Sequence, residues 1–292
     1  MNPGPEFRCT HPGTEEIPEA LIDELGFKVP EIHTDTREMA RLALALKKDR
    51  GDGLCRLPFC MTVEAEAMGA QITLGNKRNG PRVAGYCLPD IDAAMGIQRI
   101  DLSQGRALAV LDCVADLSTQ GEAVGLNIHG PFTLASSLID PRHLYKGMRQ
   151  KSEAVDHLMR VIEASIVAYA LEGIKRGAQL LSYADPAGAM DLIGPKLYKE
   201  VSGKITARIL QKIEASNENT LLHLCGKTST ALEKCGLSSS EPVPYDPELT
   251  YGEALTAFLK QQPGVSIVGH SCMKQTPKHN RHPRLWAIHL GS

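Results

Sequence analysis

The residues best equipped for chemistry are His223 and Cys225, two apart in His223-Leu224-Cys225-Gly226, together with Cys272 in Gly269-His270-Ser271-Cys272. One imidazole and two thiols form a donor set that soft, tetrahedral Zn²⁺ accepts. Three protein donors without an obvious fourth match a catalytic zinc, whose last position takes water or substrate, better than a closed structural one. The competing reading is packing. Cysteines are often buried, and a His-x-Cys pair arises by chance. Where the residues fall on the chain's elements separates the two readings.

From about Gly53 onward, strand-like apolar runs alternate with amphipathic helical stretches. Strands are expected over 54–59, 71–74, 123–129, 178–183, 220–224, 241–245 and 265–268, and helices over 62–68, 103–117, 144–176, 196–215, 228–234 and 250–261. This alternation with short connections points to α/β with a parallel sheet buried on both faces. No Gly-x-Gly-x-x-Gly follows a strand, so a dinucleotide-binding sheet loses its main support. The expected fold is a TIM (β/α)₈-type barrel with one βα unit reduced or missing, because about seven credible strands can be read. It would form one domain over 1–292, with an irregular or short-helical leader over 1–34.

In such a barrel the functional groups sit where strands run out at their carboxyl ends. His129, Asp185, His223, Cys225, His270 and Cys272 all fall at or just past such ends. Cys60 closes the first strand, with Cys55 on its opposite face. Glu64 and Glu66 follow on a helix start, where the dipole favours carboxylates and from which one of them could supply an oxygen ligand. Asp185 is the candidate catalytic group, although Asp before Pro186 equally suits a turn or a helix cap. Cys113 reads as packing, Cys235 as a helix-end residue, Cys9 as part of the leader, and His279 and His282 as parts of a solvated loop.

Bulk properties exclude several classes. A formal net charge of -2 gives no case for nucleic acid or an anionic membrane, and 4% aromatics leave little for base stacking. No apolar run approaches the roughly 20 residues of a membrane span. Eight cysteines are too sparse in 292 residues for a disulfide scaffold and read as reduced thiols of a cytoplasmic protein.

Several segments together resemble the uroporphyrinogen decarboxylase superfamily: Pro58-Phe-Cys-Met-Thr-Val-Glu-Ala-Glu-Ala-Met-Gly69, Ser182-Tyr-Ala-Asp-Pro-Ala-Gly188, Asp191-Leu-Ile-Gly-Pro-Lys-Leu-Tyr198, His223-Leu-Cys-Gly226 and Gly269-His-Ser-Cys272. The His-x-Cys-Gly element points to its zinc-dependent methyltransferases of the methylcobamide:coenzyme M type. The resemblance implies a TIM barrel in which His223, Cys225 and Cys272 hold zinc. It implies an acceptor thiol that takes a methyl group from a corrinoid carried by a partner protein. His129, Cys60 and Glu66 are then the candidate cofactor-binding residues. The chain has no Asp-x-His-x-x-Gly loop to ligate cobalt itself. Cys272 follows Cys225 by 47 positions, about one strand–helix unit short for the family. A porphyrinogen decarboxylase and a non-catalytic zinc-binding barrel are the alternatives.

Overall fold

The computed structural model describes residues 7, 16–216, 219–261 and 266–291. Cys9, and with it the start of the leader, lies outside them. Nine strands are present among the described residues: β1 (Cys55–Leu57), β2 (Gln71–Thr73), β3 (Arg82–Gly85), β4 (Val124–His129), β5 (Leu180–Ala184), β6 (Leu221–Cys225), β7 (Ser238–Pro244), β8 (Ile267–Ser271) and β9 (Arg284–Leu290). Seven of them form one sheet in the order β1-β4-β5-β6-β8-β9-β7, while β2 and β3 make a separate antiparallel hairpin.

From β1 to β8 every neighbour in the main sheet is parallel. The connections carry helices, among them Gly105–Thr119 before β4, Glu153–Lys175 before β5 and Gly203–Glu214 before β6. β4, β5 and β6 are buried almost throughout, as strands covered on both faces must be. The architecture is α/β of TIM-barrel type with one departure from a regular circuit. β7 should fall between β6 and β8. Instead it lies at the sheet's edge, antiparallel to β9, and β9 is antiparallel to β8.

The sequence of β7 explains the displacement. Ser238-Ser-Ser-Glu-Pro-Val-Pro244 has few apolar side chains to bury, and Pro242 and Pro244 have no N–H for a ladder. An interior strand needs donors on both sides and apolar faces, so this segment is tolerated only at an edge. β9 supplies its one partner. No strand is expected past the solvated loop around His279 and His282, yet β9 alternates buried Leu285 and Ala287 with exposed Arg284, a strand pattern.

Other differences are local. The helical block expected over 144–176 is two helices, Pro141–Arg149 and Glu153–Lys175, separated by Lys151 at φ 52°. The helix expected over 196–215 begins as Pro195–Leu197, passes through a π-type turn at Tyr198–Ser202, and continues as Gly203–Glu214. A further helix, Thr36–Arg50, capped by Asp35 accepting from the Glu38 N–H, precedes β1. The described leader residues hold a short helix, Glu19–Glu24, and a 3₁₀ turn, Glu31–His33.

Most of the core joins the parallel strands to their helices; Leu126, Leu181, Leu222 and Leu224 are fully buried in it. A second cluster of Tyr251, Leu255, Phe258, Val268, Met273 and Leu285 fastens helix Tyr251–Gln261 and the C-terminal strands to Leu180 and Leu221.

Candidate active site

The carboxyl ends of β1, β4, β5, β6 and β8 open onto a cavity of about 280 Å³. Parallel pairing places inward-facing residues in layers. Asn127 of β4, Ser182 of β5 and His223 of β6 stand opposite one another and all line it. One layer further out come His129 and Ala184, paired across β4 and β5, and Cys225, two residues beyond His223 and so on the same strand face. Cys272, the first residue past β8, also lines the cavity.

Two local features set the sulfurs there. β6 and β8 pair His223 with Val268 but Cys225 with Ser271, so β8 carries one extra residue over this step. Bulges of this kind re-aim a strand end beside a site. The bulge contains His270, whose φ of 57° is uncommon for a side chain larger than glycine. His270 turns away from the cavity: its Nδ1 bonds Thr230 at 3.0 Å, its Nε2 lies 2.9 Å from Glu233, and its ring meets Trp286 edge-on. Cys225 occupies the N-cap position of helix Gly226–Lys234, where the helix dipole favours negative charge. The glycine after it is a packing requirement, because a Cβ at Gly226 would come 2.4 Å from the Phe7 ring.

His223 is fully buried and is shared between two demands. Its Nε2 lies 3.0 Å from the Tyr251 hydroxyl, and its Nδ1 has no hydrogen-bond partner. Burial, reinforced by the nearby Arg56 charge, depresses its pKa to about 4, so the imidazole is neutral near pH 7. A neutral imidazole with one nitrogen anchored and the other unsatisfied is the condition of a metal ligand before it meets its metal. Among the described residues no three His, Cys, Asp or Glu side chains are gathered into a ready-made metal site. The donor set fits zinc in type and in the unsatisfied nitrogen, and both thiols share the cavity with it.

Asp185 is buried at the cavity wall and is fully engaged. Its carboxylate accepts from the Phe132 N–H (3.2 Å), the Thr133 N–H and hydroxyl (2.8 and 2.7 Å) and the Gly188 N–H (3.3 Å). It therefore caps helix Pro131–Leu138 from another strand. Its close fit requires glycine at two neighbours: a Cβ at Gly130 would lie 2.3 Å from the Asp185 Cβ, and one at Gly188 would lie 2.3 Å from its Oδ2. Burial pushes its carboxyl above the ordinary range, and these hydrogen bonds oppose the rise.

His129 stands beside it on a buried ion pair. Glu64 Oε1 accepts from the His129 backbone N–H at 3.0 Å and lies 2.9 Å from His129 Nδ1. Burial works against both charges. The mutual attraction holds the Glu64 carboxyl below and the His129 imidazole above their ordinary values. Cys60 lines the cavity, with its sulfur 2.8 Å from Arg106 Nη2. Glu66 does not reach the cavity lining. It pairs with Arg106 at 2.8 Å; its helix-mate Glu64, also outside the cavity lining, is the carboxylate that meets His129. The choice between the two depended on how helix Val63–Ala67 lies on β4, which its sequence leaves open.

Sequence reasoning also missed Arg56 and Tyr251. A charge flanked by Cys55 and Leu57 in a buried strand was a readable sign of an inward-facing guanidinium; Arg56 lines the cavity, pairs with Asp52 at 3.1 Å and donates to the Met273 carbonyl. Tyr251 opens a helix far along the chain, and no local pattern marks it. Cys113 is buried in the core and Cys235 ends helix Gly226–Lys234, both as expected. No helix among the described residues is long and apolar enough to cross a membrane.

An α/β barrel whose strand ends gather imidazole, thiol and buried carboxylate defines a class of barrel proteins with chemistry at the mouth. The family model for uroporphyrinogen decarboxylase (URO-D) matches residues 14–272, and the chain belongs to that family. It is 34% identical over 220 residues to a methylcobamide:CoM methyltransferase of Methanosarcina barkeri, covering 73% of this chain and 62% of that protein. A methylcobamide:CoM methyltransferase of Methanosarcina acetivorans is 28% identical over 214 residues, covering 72% and 63%. The structure of a methyltransferase from Methanosarcina mazei superposes with a TM-score of 0.67 at 28% identity, over 76% of this chain and 67% of that one. The chain thus spans less than two thirds of the length of these curated relatives.

Proposed function

We propose that this chain is a cytoplasmic zinc-dependent methyltransferase, working as one barrel domain, that moves a methyl group between a corrinoid on a separate carrier protein and a small acceptor thiol. The observation that carries the reading is the unpartnered Nδ1 of buried His223 in a cavity shared with the Cys225 and Cys272 thiols. The methyltransferase relatives support it. His223, Cys225 and Cys272 would hold the zinc, which when bound supplies the Lewis acidity that keeps an acceptor thiol deprotonated near neutral pH.

The chain's own residues do the remaining work. Two cysteine ligands, as thiolates, would offset the metal's charge, so an acceptor sulfur keeps its electron density. Arg50, Arg56, Lys227 and Lys274 line the cavity, Arg56 beside Asp52 and Lys227 beside Asp191, and would offer cations to a thiol with an anionic tail. His129 and Cys60 form the wall that meets the incoming substrate or the corrinoid face, while Glu66 acts at one remove by engaging Arg106. Asp185, with its oxygens accepting four hydrogen bonds, holds the β4 and β5 ends at a fixed separation rather than reacting.

The test is metal analysis of the purified protein together with turnover of free methylcobalamin and a panel of thiols. The expected result is one zinc per chain and methyl transfer that stops when zinc is removed. Transfer that persists without zinc, or metal-independent decarboxylation of a porphyrinogen, would overturn the reading.

A further inference from the structure

We infer that Tyr251 is a positioning residue that fixes which nitrogen of His223 faces the metal and ties together the two strand ends that carry the sulfurs. The inference rests on the zinc reading above and adds the residue that orients its nitrogen ligand.

Tyr251 is buried, 1% exposed, at the start of helix Tyr251–Gln261. Its hydroxyl touches both ligand strands: His223 Nε2 of β6 at 3.0 Å, and the side chain of Ser271 of β8, the residue before Cys272. The two rings meet edge-on, with centroids 5.8 Å apart at 77°. The helix start is clamped in turn, since the Tyr251 N–H donates to the Lys278 carbonyl at 2.9 Å and the Gly252 N–H to the Thr276 carbonyl at 2.8 Å. Thr276 donates to Asp52, which pairs with Arg56 of β1. The phenol is therefore a fixed point, not a side chain free to follow the imidazole.

A phenol has one proton to give. Donated to His223 Nε2, it would force the imidazole proton onto Nδ1, leaving a buried N–H with no acceptor, a costly arrangement. With its proton turned away from Nε2, the phenol oxygen accepts from Nε2–H, so Nδ1 keeps a lone pair. The second arrangement is the one assigned here. The hydrogen bond at one ring nitrogen selects the tautomer and so the nitrogen that ligates. Through the same hydroxyl, Ser271 and hence the Cys272 end of β8 are held in register with β6.

Tyr251→Phe deletes the hydroxyl and keeps the ring in the core. Outer partners of metal ligands typically contribute about 10–100-fold in metal affinity. Zinc affinity, read by competition with a chromogenic chelator, should fall by about that factor in Y251F, and by less in Ser271→Ala. Metal-free circular dichroism should match wild type in both. A second readout needs no zinc: ¹⁵N shifts of His223 in the metal-free protein should show the Nε2–H tautomer in wild type and a mixture in Y251F. Wild type that binds zinc no tighter than Y251F, or an Nδ1–H tautomer in wild type, would overturn the positioning role. Wild type that shows the Nε2–H tautomer but binds no zinc would instead defeat the zinc reading and leave the tautomer assignment standing.

Discussion

The parallel run from β1 through β4 and β5 to β6 differs from the C-terminal β8, β9 and β7 in what each spends its residues on. The first places apolar residues on both faces and reserves inward positions at its strand ends for His129, Asp185 and His223. The second contains two prolines and a serine run, and it completes the sheet with an antiparallel pair. Where the chain is apolar enough to be covered on both sides, it forms βα units. Where it is not, it folds back to the edge. Because β7 leaves the interior, β6 and β8 become direct neighbours, and Cys272 reaches the cavity that His223 and Cys225 line. The proposed donor set thus straddles the seam between the two regions.

The largest effect should come from the parallel run. Glu64→Gln removes one member of a buried pair and should cost about 3–5 kcal/mol in chemical denaturation near pH 6. The sign follows from the two shifts. His129 is held above 6.5, so its contribution is complete below that pH and is lost as pH rises through the raised folded value. Glu64 is held below 4.5, so its contribution is complete above that pH and is lost as pH falls through the lowered folded value. The gap between wild type and variant should therefore narrow at both alkaline and strongly acid pH. A gap independent of pH would mean that the pair is not ionised.

Next come matched core truncations. Leu126→Ala in β4 and Leu285→Ala in β9 each remove a fully or nearly fully buried side chain and should cost about 2–5 kcal/mol. Only Leu285→Ala should also weaken zinc binding, because Leu285 shares its cluster with Tyr251, Val268 and Met273. Equal loss of zinc affinity in both variants would erase the distinction between the regions.

A smaller effect is expected at Asp185. Asp185→Asn keeps the shape but turns an amide toward donors, and should lose about 1–2 kcal/mol, in line with the loss of a helix cap. Turnover should fall no further than the misplaced β4 and β5 ends require, recovering substantially at low temperature. An unchanged melting temperature with abolished turnover would assign Asp185 to the chemistry instead.

The parallel run was largely legible. Its apolar segments and the turn residues at Gly130-Pro131 and Asp185-Pro186 mark strand ends directly, and the bounds of β4, β5 and β6 fall within about two residues of those expected, the usual uncertainty of element ends. The missing βα unit could be counted, but its fate could not. Whether a proline-bearing strand is dropped or moved to an edge depends on a partner, and the partner, β9, lies past the solvated loop around His279 and His282, where no element is expected. The site divides in the same way. His129, Asp185, His223, Cys225 and Cys272 were marked by strand-end position, a local property. Glu64 rather than Glu66, and Tyr251 as the phenol on His223, are set by which helix face meets which strand, and no periodicity within either segment encodes that.

The donor set proposed at the seam is one imidazole and two thiols, from His223, Cys225 and Cys272. X-ray absorption at the zinc edge, on zinc-loaded wild type and on Cys272→Ala, counts those donors. Wild type should show two sulfurs at about 2.3 Å and one imidazole nitrogen at about 2.0–2.1 Å, and Cys272→Ala should lose one of the two sulfurs. A shell of nitrogen and oxygen alone in wild type, or a sulfur count unchanged in the variant, would contradict it.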